Sequence, residues 1–139
     1  MSDVYEEDYH HFVWATKMRE PMIISCMEIL LHAYIRQKVH EMKAYVHAIG
    51  GIPDHVHLVC SLPGSLAPSI FIKNIKGGSS HYINHLQESD PLYWQSGYGR
   101  LTCAKHDLRH VIAYVENQKS HHAVGSLSPK MERISSVTE

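Results

Sequence analysis

The sequence has little of what a membrane span, a disulfide scaffold or a strongly basic nucleic-acid binder requires. No run of about 18 uncharged apolar residues occurs, which excludes an ordinary membrane-spanning helix. The opening MSDVYEEDYH is acidic and lacks the basic-then-apolar layout of a secretory signal, so a cytoplasmic location is expected. Cys26, Cys60 and Cys103 are odd in number, far apart and free of any C-x-x-C pairing. They read as small core hydrophobes in a reducing compartment. A formal net charge of −1 gives no basic excess that would announce a phosphate-binding partner.

What is present fits one globular domain. A chain of 139 residues with 44% hydrophobic and 19% charged content can bury a core without a staple. The charge is unevenly spread: residues 1–35 hold two basic and six acidic side chains, whereas residues 36–119 hold nine and six. The body is therefore mildly basic behind an acidic arm at residues 1–9. The chain also has 13 histidines, roughly three times the usual share for this length.

HHFVWATKM (10–18) alternates and is rich in aromatic and β-branched residues, which predicts a first strand. From Pro21, apolar residues at Ile23, Met27, Leu30, Leu31, Tyr34 and Ile35 recur at three and four, predicting a helix with one buried face. AYVHAI (44–49) reads as a strand, Gly50-Gly51 as a turn, and HVHLVCSL (55–62) as an antiparallel partner. A second helical stretch over 66–87 carries the weakening pair Gly77-Gly78. YWQSGYGRLTCAK (93–105) supplies one or two short strands. A last helix runs from Asp107 to His122, and a polar tail over 125–139 reads as mobile. The order β-α-β-β-α-β-(β)-α predicts an α+β fold, a ferredoxin-like or RRM-like antiparallel sheet with helices on one face. The domain is expected to span 1–124.

Strand alternation places His55 and His57 together on the face opposite Val56, Leu58 and Cys60. Two neutral imidazoles so spaced can converge on one divalent ion, although H-x-H alone reads first as a pair of half-exposed strand residues with local hydrogen bonds. On the last helix, His110, Tyr114 and Gln118 share a face bordering the apolar stripe, with His121 near them. A tyrosine hydroxyl can attack phosphorus as a nucleophile, and an ion held by His55, His57 and the Gln118 oxygen could polarise the phosphate. His81 and His85, four apart, read as a surface pair.

Five segments, HHFVWATKMREPM, AIGGIPDHVHLV, IKNIKGGSSHYIN, WQSGYG and VIAYVENQKSHH, resemble in order and spacing the single-tyrosine HUH transposases of the insertion-sequence 200/605 family. The resemblance implies a prokaryotic, nucleoid-associated, metal-dependent DNA strand transferase that cuts single-stranded, hairpin-bearing transposon ends. It implies His55, His57 and Gln118 as ligands of Mg²⁺ or Mn²⁺, and Tyr114, on the final helix, as the nucleophile forming a 5′-phosphotyrosine. It also implies a homodimer in which the tyrosine helix can serve the partner's histidines in trans. Candidate DNA contacts are Lys17, Arg19, Lys73, Lys76, Arg100 and Lys105, with Trp94 and Tyr98 as stacking platforms. The alternatives are a water-activating hydrolase and a catalytically silent or domesticated nucleic-acid-binding module on the same fold.

Overall fold

The computed structural model describes residues 8–87 and 89–134, so most of the expected acidic arm (residues 1–7) and the last five tail residues lie outside the described residues. A four-stranded antiparallel sheet is built from β1 (Tyr9–Ala15), β2 (Tyr45–Ile52), β3 (His55–Ser61) and β4 (Gly99–Cys103), in the order β2-β3-β1-β4. Two long helices, α1 (Ser25–Glu41) and α2 (Pro68–Leu86), pack side by side on one face. This is the expected ferredoxin-like arrangement. Three shorter helices follow β4: α3 (Lys105–Glu116), α4 (Gln118–Val124) and α5 (Pro129–Glu132). They contact the opposite face, with α3 and α4 against β2 and α5 against β1 and β4.

The two faces follow from the alternation of β1 and β3. Phe12, Trp14, Val56, Leu58 and Cys60 point toward α1 and α2, where they meet Leu31, Ile35, Phe71, Ile72 and Ile75 in one continuous core. Each such fully buried large side chain contributes about 1.5–3 kcal/mol. On the other face the described residues form a smaller apolar cluster, Ala48 and Val59 against Val111 and Val115. Beside it, with the small apolar Val13 and Ala15 of β1, that face carries the buried polar residues His11, His55 and His57.

Several local expectations are corrected. Gly50 and Gly51 are not the turn; β2 runs through both to Ile52, and Pro53-Asp54 makes the reversal. The glycines are required by close approach instead. A Cβ at Gly50 would lie 2.1 Å from the Val115 carbonyl oxygen of α3, and one at Gly51 would lie 2.3 Å from that of His55. The weakening pair Gly77-Gly78 lies inside an uninterrupted α2, with Gly78 where the Tyr34 ring of α1 packs closest. The first strand ends at Ala15, since Met18 and Arg19 take left-handed φ values of 55° and 53° in a single 3-10 turn. The first helix begins at Ser25, four residues later than Pro21 suggests, because Pro21 to Ile24 stay extended or irregular with Ile23 N–H donating to Pro53 O at 2.9 Å. Cys26 is exposed, being on the outer side of α1, while Cys60 is buried.

The helix expected over 107–122 is divided at Asn117, whose φ of −106° and ψ of 26° end α3 and redirect the chain into α4. The stretch read as a polar tail includes α5, where Ser128 caps Met131 through its hydroxyl at 3.4 Å. Among the described residues no helix is long and apolar enough to cross a membrane.

Candidate metal and nucleophile site

The site forms where α3, α4 and α5 meet the polar end of β3. The turn before His55 is pinned by Thr16, whose backbone N–H donates to Asp54 O at 2.9 Å. His55 and His57 then project from β3 toward α4 and are only 1% and 0% exposed. Their rings lie edge to face, with centroids 5.0 Å apart. The glycine at position 50 lets the α3 backbone settle onto β2, which brings the Tyr114 ring to 6.1 Å from that of His57.

Glu132 of α5 joins these groups. Its Oε1 lies 3.2 Å from His55 Nε2 and 3.2 Å from His57 Nε2, and 3.6 Å from His122 Nε2. Its Oε2 accepts the hydrogen bond of the Tyr114 hydroxyl, which in turn accepts from Ser128 N–H at 3.0 Å. Gln118 completes the ring of donors. Its Oε1 lies 3.2 Å from His55 Nε2 and 3.0 Å from His122 Nε2, and its amide nitrogen donates to Tyr114 O at 3.4 Å. That last contact fixes which end of the amide faces the imidazoles.

Electrostatics separate the two histidines. Burial opposes charge on His55, but hydrogen bonds to Glu132 and Asp54 outweigh it and raise its pKa; Asp54 Oδ1 lies 2.6 Å from His55 Nδ1. His57 is shifted down because burial prevails, despite Glu132. Burial alone would raise Glu132, yet its hydrogen bonds to His55 and His57 hold the carboxyl below its ordinary range. Burial and the Glu132 hydrogen bond both raise Tyr114, so the phenol is protonated at rest.

His55, His122 and Glu132 form a group able to hold a metal ion, with ligand atoms all within 4.8 Å of one another. His57 Nε2 and Gln118 Oε1 extend this group through the contacts above. Imidazole nitrogens with amide and carboxylate oxygens are ligands for a divalent metal ion, so the residues fit such a cofactor.

The sequence family described as "Transposase IS200 like" matches residues 4–118 of this chain. The chain belongs to that family. The chain is 26% identical over 121 residues to the ISDra2 transposase TnpA of Deinococcus radiodurans, covering 83% of this chain and 86% of the relative. Its fold matches a crystal structure of a candidate transposase from Deinococcus radiodurans with a TM-score of 0.66 and 26% identity, over 85% of this chain and 95% of the other. It also matches a REP-associated tyrosine transposase bound to a REP hairpin, with a TM-score of 0.62 and 18% identity, over 91% and 76% of the two chains.

Of the residues singled out in the transposase sequence, His55, His57, Tyr114 and Gln118 are brought together. His110 and His121 line, with Tyr114, a cavity of about 480 Å³ under the segment 126–131. His81 and His85 stack with centroids 6.3 Å apart on the exposed side of α2, outside the metal-capable group. The proposed DNA contacts divide. Lys17, Lys73 and Lys105 are exposed. Arg19 lies 4.0 Å from Asp54, close to the site. Arg100, whose guanidinium is 3.2 Å from His10 Nδ1, lines a cleft of about 660 Å³ with Lys130 and Arg133. By contrast Lys76 donates to Gln95 O at 2.7 Å and Gly97 O at 3.0 Å. Trp94 donates to Ser79 Oγ at 3.0 Å and meets Trp14 edge-on, and Tyr98 tilts against Phe12. These three side chains are already engaged in holding the 93–98 loop.

Sequence reasoning missed His11, Asp54, His122 and Glu132. Asp54 is adjacent to an HUH histidine, and His122 is four residues from Gln118, so both carried a local signal. Glu132 carried none.

Proposed function

We propose that this chain is a metal-dependent single-strand DNA endonuclease and strand transferase in which Tyr114 is the nucleophile. The observation that carries this reading is one carboxylate, Glu132, touching both the Tyr114 hydroxyl and the Nε2 atoms of His55 and His57. A phosphodiester placed there would meet nucleophile and metal ligands at once.

His55, His57 and Gln118 hold the divalent ion in this reading, with Glu132 and His122 within reach of the same centre. A bound Mg²⁺ or Mn²⁺ would supply Lewis acidity toward the phosphate. Tyr114 Oη forms a bond to phosphorus as its proton passes to the Glu132 carboxylate that accepts its hydrogen bond, the bond from phosphorus to the 3′ oxygen breaks, and the departing 3′ oxygen takes a proton from water. The product is a 5′-phosphotyrosine and a free 3′-hydroxyl. The retained ester is later resolved by a second 3′ end, so no nucleotide cofactor is consumed.

Single-stranded hairpin ends are the proposed substrate, supported by the fold likeness to a transposase bound to a REP hairpin. The cleft at Arg100, Lys130 and Arg133 and the exposed Lys17, Arg19, Lys73 and Lys105 offer cations for the backbone. Within one chain Tyr114 already lies against its own His57, which supports action in cis. A homodimer with exchanged tyrosine helices is tested separately: mixed Tyr114→Phe and His57→Ala protomers would recover adduct formation only in trans.

The deciding experiment incubates the protein with Mn²⁺ and a labelled single-stranded hairpin, followed by denaturing electrophoresis. Wild type is expected to give a protein–DNA adduct and Tyr114→Phe none, with oligonucleotide binding retained. An adduct from Tyr114→Phe refutes the assignment. Free 5′-phosphate ends from wild type would indicate hydrolysis, and salt-sensitive binding without cleavage would indicate a silent module.

A further inference from the structure

His11 stands one strand away from the proposed metal ligands and belongs to none of the roles assigned above. On β1 it opposes Val59, so it shares the face of His57, one position diagonally removed. It is 2% exposed. Its Nε2 lies 2.8 Å from His57 Nδ1, and the two rings stack with centroids 5.0 Å apart and planes 10° from parallel. Such a buried, directed contact between two imidazoles constrains which nitrogen of each carries a proton.

We infer that His11 is the positioning residue for His57, holding that ring so that Nε2 faces the metal centre and serving it in both the metal-free and metal-loaded states. Glu132 Oε1 faces His57 Nε2 at 3.2 Å. A carboxylate only accepts, so Nε2 carries the proton and Nδ1 must receive a hydrogen bond. His11 Nε2–H donates it. When His57 Nε2 becomes a ligand, it has no proton, and Nδ1–H must donate instead. His11 in its other tautomer then accepts. An imidazole can make this exchange, whereas a carbonyl or carboxylate partner could satisfy only the loaded state. His55 differs, since its Nδ1 is served by the carboxylate of Asp54, an acceptor in either state.

The inference rests on His57 being a metal ligand, and the test separates the two. Gln and Met have nearly the same shape, but only Gln offers both a donor and an acceptor. Mn²⁺ affinity would be measured by calorimetry and electron paramagnetic resonance on wild type, His11→Gln and His11→Met, with metal-free thermal unfolding alongside. Loss of an outer-shell partner weakens metal binding about 10- to 100-fold. His11→Met is expected to show that loss and to unfold at a lower temperature without metal than His11→Gln, which recovers most of both. Equal Mn²⁺ affinity in His11→Met and wild type would overturn the role of His11. Absence of Mn²⁺ binding by wild type would instead overturn the metal site itself. Nitrogen-15 shifts of His57 provide a measurement on unsubstituted protein: a proton on Nε2 without metal, moving to Nδ1 with Mg²⁺. A proton retained on Nδ1 in both states would overturn the exchange even if the variants folded poorly.

Discussion

The two faces of the sheet use the same strands for opposite ends. On the α1–α2 side, alternate residues of β1 and β3 are large and apolar and mesh with two long helices. On the α3–α5 side, the intervening residues include His11, His55 and His57, covered by short helices through hydrogen bonds to Glu132 and Gln118. Period-two alternation thus lets one strand serve stability with half of its side chains and chemistry with the other half. Polar groups on the second face need partners because they are buried, and those partners come from distant segments.

If this division is real, core truncation and site alteration should separate. Phe71→Ala, fully inside the larger core, is expected to cost about 3–5 kcal/mol in urea unfolding. Mn²⁺ affinity of the remaining folded protein should be unchanged; a parallel loss would mean that the faces are coupled. Gly50→Val attacks the opposite face, since the added atoms collide with the α3 backbone. A destabilisation of about 1–3 kcal/mol is expected. Adduct formation should fall more steeply than Mn²⁺ binding, because Tyr114 rides on α3 and the HUH pair does not. Normal adduct yield from this variant would break the link between close approach and catalysis.

A pH series sharpens the contrast between the two histidines. The pKa of His55 is raised above its ordinary 6.5 because its hydrogen bonds to Glu132 and Asp54 overcome burial. Its charge therefore stabilises the metal-free fold fully below pH 6.5, and that contribution is lost as pH rises through the elevated folded value. Metal binding runs the other way, since His55 Nε2 must lose its proton to become a ligand. Below the folded pKa, Mn²⁺ affinity should rise about tenfold per pH unit. A flat profile would remove His55 from the coordination sphere. The smallest effect is expected for Lys76→Met, which forfeits hydrogen bonds to the 95–97 loop and should cost about 1–2 kcal/mol. Its DNA affinity at fixed folded fraction should stay near wild type. A large drop in binding with unchanged stability would return Lys76 to the DNA interface.

The succession of strands and helices and the shared face of His55 and His57 were legible because both depend on local periodicity. The Tyr114–Gln118 spacing was legible too, although the chain bends between them at Asn117. What escaped the sequence is non-local. His11 sits in a His-His pair that looks like surface composition, and its partner lies 46 residues away. Glu132 occupies a polar stretch where a four-residue helix leaves no periodic trace. Gly50-Gly51 carries the signature of a turn, yet here the missing side chains admit a neighbouring backbone.

The carboxylate of Glu132 has a consequence for how the protein is made. Buried imidazoles facing one another without an anion would repel as they gained protons, and a newly synthesised chain would need its metal in order to close that corner. Glu132 supplies the countercharge from within the chain, at 3.2 Å from both HUH histidines. The chain thus carries within itself the anion that balances whatever positive charge its clustered imidazoles take up.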